Sequence, residues 1–103
     1  MSALWQPEAM RRAAKIDANQ PEIVQAYRDA GATVEHLHAV GGGCPDLLVG
    51  YQGKNYLIEV KDGSKKPSAQ ALTADQVRWH FQWRGQVQTA NSVEAALNII
   101  GIE

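Results

Sequence analysis

Residues 41–61, GGGCPDLLVGYQGKNYLIEVK, constrain the fold more than any other stretch of this chain. A glycine turn delivers Pro45 and Asp46. Leu47, Leu48 and Val49 then read as a strand, residues 50–55 as a polar glycine-containing turn, and residues 56–61 as a second strand. So short and turn-rich a link predicts a hairpin. Strand side chains alternate faces, so Leu57, Glu59 and Lys61 share one face, and Tyr56, Ile58 and Val60 the other. A hairpin folds the start of one strand back beside the end of the next. Asp46 is therefore expected near Glu59 and Lys61, thirteen and fifteen positions later.

Charged groups converge in this way only if something compensates them. Adjacent carboxylates repel, and loss of water raises their cost. A hard divalent cation removes the penalty, and Mg²⁺ is held by one or two carboxylates with waters and phosphate oxygens. The lysine adds positive charge where a nucleophilic water would sit. These are the parts of metal-assisted phosphodiester hydrolysis.

Pro45-Asp46 followed by Glu59-Val60-Lys61 resembles the PD-(D/E)XK nuclease signature. The surrounding residues are similar to its VRR-NUC branch, the virus-type replication-repair nucleases found in phages. There a glycine-rich turn leads into PDLL, a strand ends in EVK, and a later helix opens with threonine and carries a glutamine. The likeness spans residues 21–101. It implies an α/β, restriction-endonuclease-like sandwich around a central mixed four-stranded sheet, in the order α-β-β-β-α-β-α. It also implies a Mg²⁺- or Mn²⁺-dependent endonuclease acting on DNA, with branched or Holliday-junction DNA as a substrate class. The implied metal ligands are Asp46, Glu59, the backbone carbonyl of Val60 and a glutamate on the helix before the first strand, a position that Glu22 matches. Lys61 and Gln76 complete the implied catalytic set. Junction cutting implies a homodimer or higher homo-oligomer, since two strands must be cut symmetrically. The implied setting is the cytoplasm of a bacterium or phage-infected host.

At 103 residues the chain suits a single domain, with residues 1–19 an N-terminal extension that is helical or contacts a partner subunit. One cysteine, Cys44, excludes an internal disulfide and fits a reducing compartment. No apolar run approaches the roughly 18 residues that span a bilayer, and the first residues lack signal-peptide order. A soluble intracellular protein without membrane partners is expected. A net charge of −1 is low for a nucleic-acid binder, so distribution has to compensate. Arg11, Arg12 and Lys15 cluster near the start, and Lys61, Lys65 and Lys66 after the second hairpin strand.

Residues 21–30 read as a helix with Asn19 or Gln20 at its cap and Gly31 past its end. Glu22 alone is also an ordinary acid in a first turn. Residues 32–39 read as a strand with Val34, His36 and His38 on one face. A histidine pair could ligate zinc, but only Cys44 and His80 remain as further ligands of that kind. The other reading sets His38 near the phosphate path. Cys44 is either a nucleophile or a small packed residue. The three glycines form a bare turn or a phosphate cradle. Residues 62–72 read as a loop whose Lys65 and Lys66 grip DNA phosphates or simply face water.

Thr73-Ala-Asp-Gln76 fits a capping box that opens a helix running to Gly85. Gln76 either closes that box or turns to the active centre, two roles competing for one side chain. Trp79, Phe81 and Trp83 read as core or dimer contacts. Residues 86–90 form a last strand, parallel to its neighbour after the helical crossover. Residues 93–100 form a helix closing the back of the sheet. Two rival functions remain. One is a catalytically silent nucleic-acid-binding module of nuclease descent. The other is an α/β partner-binding protein in which these charges form an ordinary surface salt-bridge cluster.

Overall fold

The apolar stripe of residues 23–30 and the alternation of residues 47–60 leave two surfaces to bury, one on a helix and one on a sheet. The computed structural model, which describes residues 16–103, buries them against each other. Pro21 in the first turn starts α1 (Gln20–Asp29), whose Ile23, Val24 and Tyr27 are buried. Gly31, at φ +95°, then turns the chain into β1 (Thr33–His36). β1 pairs antiparallel with β2 (Leu47–Tyr51), and β2 pairs antiparallel with β3 (Lys54–Val60). Tyr51 lies opposite Lys54, so the hairpin turn is only Gln52-Gly53. Both residues have positive φ, 51° and 80°, as a two-residue hairpin turn of matching twist requires.

After β3 come α2 (Pro67–Gln70), within the stretch expected to be loop, and α3 (Ala74–Gln82). β4 (Gln88–Ala90) returns parallel to β3, and α4 (Val93–Ile99) follows. The sheet order is β1-β2-β3-β4. The expected mixed four-stranded sheet is present, with one short helix added. Three elements are shorter than expected. β1 stops at His36 because Leu37 N–H donates to Asp46 O (2.8 Å) and Val40 N–H to Leu37 O (2.9 Å), which turns the chain out of the sheet. β4 starts at Gln88 because the side chain of Gln86 stands in for a strand. It accepts from Leu57 N–H (2.6 Å) and donates to Leu57 O (3.1 Å). α3 ends before Gly85, with Trp83 as its C-cap.

One sheet face carries Val34, Leu47, Val49, Ile58, Val60 and Ala90, all buried with the stripe of α1 and with Ala96 of α4. The Tyr27 hydroxyl donates to Ala96 O at 2.7 Å and ties the two helices together. The other face carries Leu48, Leu57, Glu59 and Lys61. Of the two readings of the α3 aromatics, the core reading falls, since α3 buries none of its residues. Val77, Phe81 and Trp83 are 53%, 87% and 44% exposed. Trp79 stacks on Trp83, with centroids 4.8 Å apart, rather than entering the core. Gln76 and His80, one turn apart, occupy the inward side, so α3 is held by polar contacts. The expectations for residues 1–15, including a helix there, lie outside the described residues.

Candidate active site

In the β2–β3 register Leu47 faces Ile58, so Asp46, one residue earlier, arrives beside Glu59. Asp46 Oδ2 accepts from Val60 N–H at 2.7 Å, which fixes the carboxyl at the end of β3. Glu59 is 2% exposed. The two carboxyls lie within hydrogen-bonding reach of each other when one carries a proton. Burial, and then the charge of Asp46, pushes Glu59 up to about 9. Burial raises Asp46 as well. Glu59 thus keeps a proton at neutral pH. Without that proton, its Oε1 is a buried oxygen with no hydrogen-bond partner among the described residues.

Lys61, 8% exposed, donates from Nζ to Gln76 Oε1 at 2.7 Å and lies 4.0 Å from Glu59 Oε2. Gln76 Nε2 donates to Glu59 Oε2 at 3.0 Å. Gln76 Oε1 also accepts from Thr73 N–H at 2.9 Å, while Thr73 Oγ1 accepts from Gln76 N–H at 3.2 Å. The two roles expected to compete for Gln76 therefore coexist, because an amide oxygen has two lone pairs and the nitrogen is free to donate elsewhere. Asn19 Nδ2 donates to Lys61 O at 2.9 Å, which brings the start of α1 to the same place.

Asp46, Glu59, Lys61, Thr73 and Gln76 line a cavity of about 670 Å³, together with Asp17, the Gly41–Gly43 turn, Cys44 and Lys65. All three glycines have positive φ. At Gly43 a Cβ would overlap the carbonyl of Asp75, so glycine there lets the turn press against the first turn of α3.

Asp46, Glu59, Lys61 and Gln76 are brought together, Val60 sits between Glu59 and Lys61, and Lys65 stands on the cavity wall. Glu22 is not in this group. It is exposed on α1, one position before the buried Ile23, and turns to a separate depression shared with Asp62 and Glu94. Asp17 takes the place expected of it. It lines the cavity, and its charge raises both Asp46 and Glu59. The sequence signal was an acid two residues before the Asn19 cap, inside a stretch read as an extension. Lys66 caps α2 and does not line the cavity. His38 also lies off it, with Nδ1 buried and unpartnered and its ring 5.9 Å from His36.

His80, one turn after Gln76, was not foreseen as part of this region. Burial, and then Lys61, holds its pKa below the usual histidine range. Burial, followed by the charges of Glu59 and Asp46, pushes the Cys44 thiol up, which opposes the nucleophile reading. Among the described residues, no three of His, Cys, Asp and Glu gather closely enough to hold a metal ion by themselves, as zinc would require. Two carboxylates, one of them with an orphaned buried oxygen, Glu59 Oε1, do fit a hard cation completed by water and phosphate.

No protein-family model and no curated protein matches the chain. A solved structure described as a VRR_NUC domain matches with a TM-score of 0.56 and 24% identity, over 89% of this chain and 94% of that one. The chain thus has a restriction-endonuclease-like fold, an open mixed sheet flanked by helices. That fold is shared with the VRR_NUC structure. No helix of the described residues is long and apolar enough to cross a membrane.

Proposed function

We propose that this protein is a metal-dependent DNA endonuclease of the VRR-NUC kind, with Mg²⁺ or Mn²⁺ as its cofactor and branched or junction DNA as a candidate substrate. The observation that carries the reading is the contact between the Asp46 and Glu59 carboxyls in one cavity, with Lys61 clamped alongside by Gln76. The fold likeness supports it.

Asp46 and Glu59 would hold the cation, with the Val60 carbonyl as a further candidate, Asp17 as a charge on the cavity wall and Glu22 withdrawn on position. A bound divalent cation lowers the pKa of a coordinated water and stabilises charge on phosphate oxygens. The protein's own groups do the rest. Val60 N–H keeps Asp46 aimed, and Glu59 would give up its proton in holding the cation. Gln76 takes one donor of Lys61, leaving two for the attacking water or the phosphate. Lys65 on the wall would contact backbone phosphate.

Symmetric cutting of a junction would take two copies, and the exposed apolar side chains of α3 are the surface we assign to the homodimer. Light scattering of wild type and Phe81→Asp tests that point, with a monomeric wild type as the contrary result. Those same side chains favour the partner-binding rival, and a cleavage assay separates the two. Linear, flapped and four-way DNA should be cut with Mg²⁺ or Mn²⁺ and not by Asp46→Ala. Cleavage that persists in excess EDTA overturns the mechanism. Intact DNA in every metal tested overturns the enzyme reading.

A further inference from the structure

Lys61 and Lys65 both stand on the cavity wall. Lys61 is engaged with Gln76 and Glu59. Lys65 forms no ion pair among the described residues, so it is the wall cation left for a backbone phosphate. It belongs to residues 62–70, a strap that apolar packing does not hold, since α2 buries none of its residues. A loose strap of this kind would be ordered only by the DNA, and that ordering would weaken binding.

Polar contacts order it beforehand. Asp62 Oδ1 accepts from Ser64 N–H (3.0 Å) and from the Ser64 hydroxyl (2.7 Å), and Asp62 O accepts from Lys65 N–H (3.1 Å). The side chain of Gln70 closes the strap from its far end. Its Nε2 donates to Lys65 O at 2.6 Å, while its Oε1 accepts from Asn91 Nδ2 at 3.0 Å. Asn91 O in turn accepts from Gly63 N–H at 3.2 Å, and a Cβ at Gly63 would overlap that oxygen. Asn91 directly follows Ala90, which lies opposite Val60 in the β3–β4 ladder and whose O accepts from Lys61 N–H at 2.9 Å. The strap is thus registered to the strand end that carries Glu59 and Lys61. We propose that Gln70 and Asn91 are positioning residues, a brace that holds Lys65 ready for a backbone phosphate of the bound DNA. The proposal rests on the nuclease reading and adds what presets its phosphate contact. Such a contact positions the backbone and reads no bases.

The test places Gln70→Ala in the full chain with Lys65 present and with Lys65→Ala, using the same four-way DNA and Mn²⁺, after urea unfolding has shown each variant to be folded. With Lys65 present, Gln70→Ala should raise KM about 3- to 10-fold, the usual effect of ordering a side chain on binding. Its kcat at saturation should stay within about twofold, since uniform binding is lost. In Lys65→Ala the same substitution should change KM by less than about twofold, because the brace has nothing left to position. Asn91→Ala, which removes only the anchor of the brace on the sheet, should repeat the pattern. Lys65→Ala itself should flatten the slope of log affinity on log salt by about 0.9, measured in a Lys61→Ala background that turns over slowly. Equal rises in KM with and without Lys65, no rise in either, or a loss confined to kcat overturns the brace and leaves the nuclease standing. An unchanged salt slope in Lys65→Ala also overturns it, since the braced lysine then holds no phosphate. Wild type that neither binds nor cuts DNA overturns the nuclease reading and the brace together.

Discussion

Glu59→Gln should make the metal-free protein more stable in neutral solution while removing its response to divalent cations. Glu59 rises from 4.5 in a free chain to about 9 in the fold, through burial and the charge of Asp46. Below pH 4.5 the group is protonated in both states and costs the fold nothing. Between 4.5 and about 9 the unfolded chain releases the proton that the folded chain keeps. Stability therefore falls as pH rises across that window, by at most about 1.4 kcal/mol per pH unit. From about pH 5.5 to about pH 7.5 the loss approaches 2–3 kcal/mol, a large share of the roughly 5–15 kcal/mol that holds a domain together. Asp46, also raised, acts in the same direction. A glutamine at this position cannot titrate. Its carbonyl still accepts from Gln76 Nε2, and its amide hydrogens can donate to Asp46. Urea unfolding in EDTA at several pH values should show the two proteins converging near pH 5, with the variant pulling ahead as pH rises. Mn²⁺ at about 100 times its Kd should add roughly 2.7 kcal/mol to wild type and nothing to the variant. Parallel stability curves, or a wild type that gains on the variant with rising pH, would refute the buried, proton-sharing pair.

Lys61→Ala should keep divalent-ion affinity and lower kcat by about 10²–10³, the usual effect of one lost charge-stabilising donor. Full activity would remove that role. Asp17→Asn should weaken ion binding or turnover by about tenfold, while Glu22→Gln changes either by less than about twofold. The reverse ranking would return the helix glutamate to the site. Gly43→Ala forces a positive-φ backbone and a Cβ into the Asp75 carbonyl, and should cost about 1–3 kcal/mol in urea unfolding. A cost near zero would mean the glycine turn is not pressed against α3.

Much of the site was legible because β-structure is periodic. Once residues 47–61 form a hairpin, the two-residue side-chain period sets Glu59 and Lys61 on one face and leaves Asp46 at the adjoining end. The capping box was equally local, with Thr73 and Gln76 three residues apart. Asp17 was not legible because its importance depends on how α1 docks. The buried stripe Ile23, Val24 and Tyr27 rotates Glu22 outward and aims the preceding turn at the cavity. The aromatics of α3 left core and dimer contact undivided for a related reason. Helical spacing marks an apolar flank but not whether anything covers it, and Phe81 lies 87% exposed. The shared use of Gln76 was hidden because it requires the end of β3 and the start of α3 to meet across a seventeen-residue separation.

Calorimetric titration of Mn²⁺ into the metal-free protein near pH 7.5, in two buffers of different ionisation enthalpy, asks most directly whether the paired acids are a cation site. Binding at millimolar concentration or tighter, with about one proton released per ion and both effects lost in Asp46→Ala, is the predicted result. No heat of binding at millimolar Mn²⁺, or binding that Asp46→Ala leaves untouched, would contradict it.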